Sequence, residues 1–332
     1  MEEIITLDYG SGGKKTSRLI EKYIVPRFDN AALKSLGDGA VIPGGETLAF
    51  STDSFVVDPL FFPGGDIGKL AVCGTVNDIA MCGAEPRYLS CSLILEEGLE
   101  METLERVLQS MSAAAEAAGV QIVTGDTKVV DRGRGDKLYI NTAGIGVMRH
   151  ALGGLQAVKP GDAVLVSGTV GDHGTAVMLA RSGMIQGEVW SDCAALNRLT
   201  EAMLASVGGI RILRDPTRGG LATTLNEFTE GQPFGIELEE AAIPVRPEVQ
   251  ASCDMLGLEP IYCANEGKLT CICASEDAEM LLKVMRALPE GENAAVIGCV
   301  TEEAAGKVVM KTDLGGRRIL QKLAGAQLPR IC

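Results

Sequence analysis

Five aspartates, Asp38, Asp53, Asp78, Asp126 and Asp215, share one setting in this 332-residue chain: each stands beside glycine, small residues or the end of an element. Hard cations such as Mg2+ take oxygen ligands, and several carboxylates can hold such ions against the phosphates of a nucleotide. Loop aspartates are also ordinary turn formers, so residue type alone leaves both a metal–nucleotide site and a set of turns open. Asp78 fits a turn least well. It follows Asn77 inside a run of helical spacing beside Val76, Ile79 and Ala80, and aspartate is a poor helix-interior residue because it competes for backbone hydrogen bonds. At the far end stands Cys332, after Pro329-Arg330-Ile331. The preceding residues 324–327, Ala-Gly-Ala-Gln, carry no apolar period and would let the sulfur be carried to more than one place. Arg330 favours a thiolate there, and a carboxylate at the terminus opposes it. A frayed end that happens to finish in cysteine is the competing reading.

Composition narrows the partners. A formal net charge of −14 argues against a nucleic-acid backbone, unless metal cations mediate the contact. The chain opens Met1-Glu2-Glu3 without a signal segment, and no stretch approaches transmembrane length free of charge or glycine, so a cytoplasmic protein with no membrane partner is expected. The ten cysteines are scattered through apolar runs (Cys73, Cys82, Cys91, Cys299) and read mostly as small buried hydrophobes in a reducing compartment. Cys271 and Cys273 would share one face of a strand; with no second pair or nearby histidine, core packing is the expectation. His150 and His173 are the two histidines, too few for a histidine-built centre; His173 is expected to satisfy backbone groups in a loop. Trp190 is expected to be a packing anchor.

The elements that must position these residues alternate along the chain. Residues 9–14, Tyr-Gly-Ser-Gly-Gly-Lys, form a glycine turn before a helical pattern at 15–23. Such a turn lets backbone amides approach an anion, but its spacing is not that of the GxxxxGK[ST] phosphate loop. Gly37-Asp38-Gly39-Ala40 is a carboxylate in a glycine turn. Strands are predicted at 48–52, delivering Asp53 and Ser54 at the end, at 88–95, at 120–124, ending before Gly125-Asp126-Thr127-Lys128, and at 137–148. Helices are predicted at 68–82 and 101–118, the latter with Leu104, Val107, Leu108, Met111 and Ala115 on one face. Lys159-Pro160-Gly161-Asp162 is turn chemistry and a domain boundary. Beyond it, strands at 163–167, 236–238, 268–273, 294–299 and 307–311 alternate with helices at 175–181, 196–204, 221–228 and 276–288. The fold class is α/β with mixed sheets. The expected division is 1–158, a first α/β domain, 159–323, a second α/β domain, and 324–332, a mobile tail.

The order of the motifs carries more than any one of them. Residues 9–14, Gly37-Asp38-Gly39-Ala40, Thr52-Asp53-Ser54, Asn77-Asp78-Ile79-Ala80-Met81, Gly125-Asp126-Thr127 and Asp215-Pro216-Thr217-Arg218-Gly219-Gly220 together resemble the aminoimidazole ribonucleotide synthetase/selenophosphate synthetase superfamily over nearly the whole chain. Asp126-Thr127-Lys128, Asn265-Glu266-Gly267-Lys268 and the terminal Pro329-Arg330-Ile331-Cys332 resemble its branch of hydrogenase-maturation carbamoyl dehydratases, the tetrapeptide being the most specific part of the match.

The resemblance implies a two-domain aminoimidazole ribonucleotide synthetase-like fold with ATP binding and dimerisation in 1–158, a homodimer, and ATP with Mg2+ as cofactors. It implies that a HypF-type carbamoyltransferase loads Cys332 with a carbamoyl group. ATP then drives its dehydration to a thiocyanate, whose cyano group passes to iron on a HypC–HypD-type complex serving nickel–iron hydrogenase. By the same match Glu266 and Lys128 act with Cys332 in catalysis, Glu266 as base and Lys128 either as base or steadying phosphoryl oxygens. Asp38, Asp78 and Asp215 carry over as Mg2+ ligands, and Gly12, Gly13, Lys14, Asp53 and Asp126 as nucleotide or phosphate contacts. Two readings compete: another ATP-dependent enzyme of the superfamily, and a non-catalytic scaffold carrying a group on Cys332. A selenophosphate synthetase would want a reactive cysteine where this chain has Ser11, and a scaffold leaves the aspartates unexplained.

Overall fold

Strand-like alternation in the first half of the chain resolves into one sheet with a covered face and an open face. The computed structural model describes residues 4–6, 19–28, 30, 44, 47–183, 189–322 and 331–332. The glycine turn with Gly12, Gly13 and Lys14, and Asp38 in its own turn, lie outside the described residues. Strands β1 (Leu48–Phe55), β4 (Ala84–Glu96), β5 (Gln121–Val130) and β6 (Leu138–Met148) form a sheet of order β1-β6-β4-β5, with β4 and β5 parallel and the other pairs antiparallel. Two short strands, β2 (Phe61–Phe62) and β3 (Gly65–Asp66), pair with each other before the first helix.

Helices α1 (Ile67–Met81) and α2 (Met101–Ala118) cover one face of that sheet. Asp66 starts α1 as its N-cap, its carboxylate accepting from the backbone N–H groups of Gly68 (2.7 Å) and Lys69 (3.1 Å). All of α1 is buried except Lys69 and Asp78, because the sheet lies on one side and the second half of the chain on the other. Asp78 is the one carboxylate of this helix; it is half-buried, and Ser51 of β1 is its hydrogen-bond partner.

The second half builds a seven-stranded sheet of order β13-β12-β9-β11-β7-β10-β8. Its strands are β7 (Ala163–Val166), β8 (Ile210–Arg214), β9 (Gly235–Glu239), β10 (Thr270–Cys273), β11 (Ala295–Thr301), β12 (Val308–Lys311) and β13 (Arg317–Leu320). Central β7 and β10 are buried at every position, as strands covered on both faces must be. Val164, Val166 and Ile272 enter one core with Leu221, Leu225 and Phe228 of α5 (Gly220–Thr229). Leu165, Cys271 and Cys273 enter the other with Leu199 and Met203 of α4 (Asn197–Ser206) and Leu281 and Met285 of α7 (Ala278–Arg286). Cys271 and Cys273 are thus core residues on one face, as their spacing predicts. Helices α3 (Asp172–Ser182) and α6 (Pro247–Leu256) pack toward the first half, where Ala176, Val177 and Val249 join the core made by α1 and α2.

Several expectations change. Strand β5 does not stop at Thr124 but runs to Val130, so Asp126 and Lys128 are in-strand residues rather than residues beyond a strand's end. Gly125 permits this, since a Cβ there would collide with the Cys91 carbonyl of the neighbouring strand. Helix α3 begins at Asp172, which places His173 in its first turn rather than in a loop. Trp190 is no packing anchor: it is 57% exposed. All ten cysteines are free and seven are buried, but Cys82 and Cys299 are exposed. Strands β8 and β13 and helix α6 carry no strong period and go unpredicted.

Candidate active site

The described part of the C-terminal tail is seated inside the protein. Ile331 is 3% exposed and joins the core with α1 and α2. The Ile331 carbonyl accepts from His173 Nε2 at 2.7 Å, and the Cys332 backbone oxygen accepts from the Val56 N–H at 3.2 Å. Cys332 Sγ then lies 3.5 Å from Arg218 Nη2, a charge-assisted donor. The thiol pKa is nevertheless pushed up to about 11, first by burial and then by the Glu266 carboxyl, with Arg218 pulling the other way. Burial and a neighbouring carboxylate both disfavour a second negative charge.

Glu266 is buried, 3% exposed, and its Oε1 has no hydrogen-bond partner among the described residues. Its pKa is raised well above the usual carboxylate range by burial, then by the charges of Asp215, Asp192 and Asp53. Its backbone is fixed by its neighbours. The Glu266 N–H donates to Asp192 Oδ1 (3.1 Å), and Asn77 Nδ2 of α1 donates to the carbonyls of Glu266 (3.4 Å) and Ala194 (3.0 Å). Gly267 follows because any Cβ there would run into the Asp192 carbonyl. Asn265 ties the preceding residue down, accepting from the Gly171 N–H (2.7 Å) and donating to the Pro216 carbonyl (3.2 Å). Gly220, at φ +62°, lets the turn holding Asp215 and Arg218 lie against the carbonyls of Ile261 and Cys263. Three segments distant in sequence therefore meet at Glu266.

Asp53, Asp78 and Asp215 form the acidic side of the same place. Ser51 Oγ of β1 donates to Asp78 Oδ2 at 2.6 Å. Ser51, Asp53 and Phe55 alternate toward α1, where Gly74 leaves room for the Phe55 ring and brings the Asp53 carboxylate close. Burial raises the pKa of Asp53 and of Asp78, and the Asp78 charge raises Asp53 further. Asp215 is pushed up to about 7 by burial, then by Asp78, with Asp53 adding to it. Three carboxyls whose pKa values are raised, chiefly by burial, are an all-oxygen donor set, which suits a hard cation. Among the described residues, however, no group of three or more His, Cys, Asp or Glu closes tightly enough to hold a metal by itself; Asp38 lies outside them.

Asp126 and Lys128 are elsewhere within the chain. Asp53, Thr142, Cys91 and Gly125 lie in one cross-strand line on the face covered by α1, where Thr142 Oγ1 donates to the Ala71 carbonyl at 2.9 Å. Asp126 belongs to the adjacent line with Ser54, Asn141 and Ser92, on the opposite, open face, and on the strand furthest from β1. There Lys128 Nζ pairs with Asp126 at 2.7 Å and holds its pKa down. Arg218, His173 and Asn77 are the site residues that spacing did not single out. Arg218 and Asn77 had a signal, since they lie in the Asp215–Gly220 and Asn77–Met81 motifs; His173 and Asn77 contact partners more than 100 positions away.

Known proteins bear on this geometry. The model of the AIR synthase related protein N-terminal domain matches residues 36–148, and that of the C-terminal domain matches residues 159–311. The carbamoyl dehydratase HypE of Cupriavidus necator is 51% identical over 99% of this chain and 95% of its own length. The chain belongs to the HypE family of carbamoyl dehydratases. A HypE crystal structure in complex with ATP superposes with a TM-score of 0.95 at 54% identity, covering 98% of this chain and 99% of that one. HypE in a crystal structure of a HypE–HypF complex is 43% identical with a TM-score of 0.80, covering 92% of this chain and 99% of that one.

Proposed function

We propose that this chain dehydrates a carbamoyl group carried on its own Cys332, with ATP as the driving substrate, to give a thiocyanate for the iron of nickel–iron hydrogenase. One observation carries the reading: Cys332 is seated against Arg218 and in the field of Glu266, beside the Asp53, Asp78 and Asp215 carboxyls. A HypE relative that binds ATP supports the nucleotide, and a relative crystallised with HypF supports a HypF-type carbamoyltransferase as donor.

The chemistry follows from the leaving group. The oxygen of R–S–C(=O)–NH2 leaves too poorly for direct dehydration, so the γ-phosphoryl of ATP is transferred to it. Phosphate then departs with the C–O bond while the nitrogen gives up two protons, leaving R–S–C≡N, ADP and phosphate. Glu266 takes a proton from that nitrogen: its Oε1 has no other partner among the described residues, and a raised pKa makes its carboxylate a stronger base. Arg218 holds the sulfur, and its charge faces the group on which negative charge accumulates. Burial of the tail keeps water from competing for the activated carbon.

Asp78 and Asp215, with Asp38, are the residues that would hold Mg2+, and Asp53 with the Gly12-Gly13-Lys14 turn would contact the nucleotide. The ion would neutralise phosphate charge during transfer. On the open sheet face Leu48, Phe50 and Ile94 are 45%, 69% and 43% exposed, the apolar surface that a second copy would cover in a homodimer. Asp126 and Lys128 lie on that same face, so any part Lys128 plays in catalysis is played at the interface. The division at residues 158–159, between the two sheets, is kept as the domain boundary, with 324–332 as the carrier tail. No helix among the described residues is long and apolar enough to cross a membrane, and ten free thiols suit the cytoplasm. The cyano group would pass from there to an iron-carrying HypC–HypD-type complex.

The test is mass spectrometry of the C-terminal peptide after the carbamoylated full-length chain is incubated with ATP and Mg2+. Loss of one water, dependent on ATP, is expected; no such loss ends the dehydratase reading.

A further inference from the structure

His173 is a buried titratable residue that the chemistry above leaves without a task. It is 0% exposed, and its ring stands edge-on to Phe62 with centroids 5.3 Å apart. Its two nitrogens have separate partners. Nδ1 lies 2.8 Å from Ser191 Oγ, and Nε2 lies 2.7 Å from the Ile331 carbonyl. A carbonyl can only accept, so the proton is on Nε2. Nδ1 is then the acceptor, and Ser191 serves it by donating its hydroxyl while its oxygen accepts from the Cys193 N–H at 3.1 Å. Burial holds the imidazole pKa down, which keeps this neutral tautomer. Without the tail, the Nε2–H has no other partner among the described residues.

We propose that His173 is the positioning residue that seats the tail: its Nε2–H fixes the Ile331 carbonyl, and so aims the Cys332 sulfur at Arg218 and Glu266. The last peptide unit is held from two sides, by His173 at the Ile331 carbonyl and by the Val56 N–H at the Cys332 oxygen. Two fixed points on successive carbonyls leave the Cys332 side chain little freedom of direction. Phe62 and Ser191 hold the ring itself, so the donor stands ready before the tail arrives. Among the described residues the His173 ring hydrogen-bonds to Ser191 and the Ile331 carbonyl and not to the sulfur; it acts through the backbone of the residue before the carrier. The proposal deepens the dehydratase reading and rests on it for the second of its two readouts.

The test uses the full-length chain with His173→Phe, which keeps a ring against Phe62 and removes both nitrogens, and His173→Gln, whose amide can still donate at the Nε2 position. The first readout needs no chemistry at the carbamoyl group: the rate at which iodoacetamide alkylates Cys332, read on the C-terminal peptide. The second is the single-turnover rate of ATP-driven water loss from the carbamoylated tail. For His173→Phe we expect alkylation about tenfold faster and turnover about tenfold slower, with ATP affinity unchanged, the loss of about one net hydrogen bond from the seated state. His173→Gln should return both rates to within roughly threefold of the parent. Ser191→Ala, which leaves the ring but frees its tautomer, should shift both rates in the same direction as His173→Phe and by less, and it carries the test if the phenylalanine variant does not fold. Parent-like alkylation in both His173→Phe and Ser191→Ala overturns the proposal. So does a loss in His173→Gln equal to that in His173→Phe, because the donor would then not be what matters. If the alkylation differences appear while the parent protein itself loses no water, the seat stands and the dehydratase reading falls.

Discussion

Truncating Ile331 to alanine should release the tail without unfolding the protein. Ile331 is 3% exposed in the core built by α1 and α2, and buried isoleucine-to-alanine changes cost about 2–5 kcal/mol. Here the chain has a cheaper response than carrying a cavity, because the tail can leave. The cost therefore falls on the seating equilibrium, and its lower end, about 2 kcal/mol, multiplies the unseated fraction by roughly 30. Ile331→Val removes one methyl, costs about 1 kcal/mol, and should give roughly fivefold. The assay is pulse alkylation with iodoacetamide, quantified at every cysteine. Exposed Cys82 and Cys299 serve as internal rate references, while buried Cys271 and Cys273 report any global opening. The expected result is a graded rise at Cys332 alone, alanine above valine above parent. Equal Cys332 rates in all three proteins would refute the seated tail; a rise shared by Cys271 and Cys273 would refute the claim that the tail moves independently.

The pH profile of the same alkylation tests the electrostatics. With the seated thiol pKa raised to about 11, less thiolate exists at any given pH, so the parent rate should keep climbing past pH 9, whereas Ile331→Ala should level off near the ordinary thiol value of about 8.5; superimposable profiles would contradict this. Glu266→Gln should lower single-turnover dehydration by roughly 10²–10⁴-fold while ATP binding survives, and turnover within a few fold of the parent would remove Glu266 as the base. Phe50→Asp, placing a charge on the 69%-exposed apolar residue of the open sheet face, should convert dimers to monomers in sedimentation velocity. A dimer undisturbed by that change would put the interface elsewhere.

What was legible in the sequence was what local spacing controls. Helix α2 is read at its observed bounds, Met101–Ala118, because one face carries its apolar residues and Gly119 closes it in the left-handed region. Asp78 is legible as an anomaly, and the anomaly proves to be the one carboxylate on an otherwise buried helix. Cys332 is legible as a candidate from its place at the end of a patternless run, but Glu266, and its link to Cys332, come through motif resemblance alone, since nothing in their spacing joins two residues 66 positions apart. The error over Asp126 has a plain cause: a glycine reads as the end of a strand, yet Gly125 is where the Cys91 carbonyl passes close and the strand continues. That continuation places Asp126 and Asp53 on opposite faces of one sheet, roughly 14 Å apart over three strand spacings. His173 shows the deeper limit. A histidine satisfied by backbone groups was expected and is found, but the carbonyl it satisfies lies 158 positions away.

The central claim is that ATP activates the oxygen of a carbamoyl group held on Cys332. It is tested most directly by loading Cys332 with a carbamoyl group labelled with ¹⁸O at its carbonyl, adding unlabelled ATP and Mg2+, and analysing the phosphate released in a single turnover. The account predicts one ¹⁸O atom in the phosphate for each thiocyanate formed. Thiocyanate formed with unlabelled phosphate would contradict it.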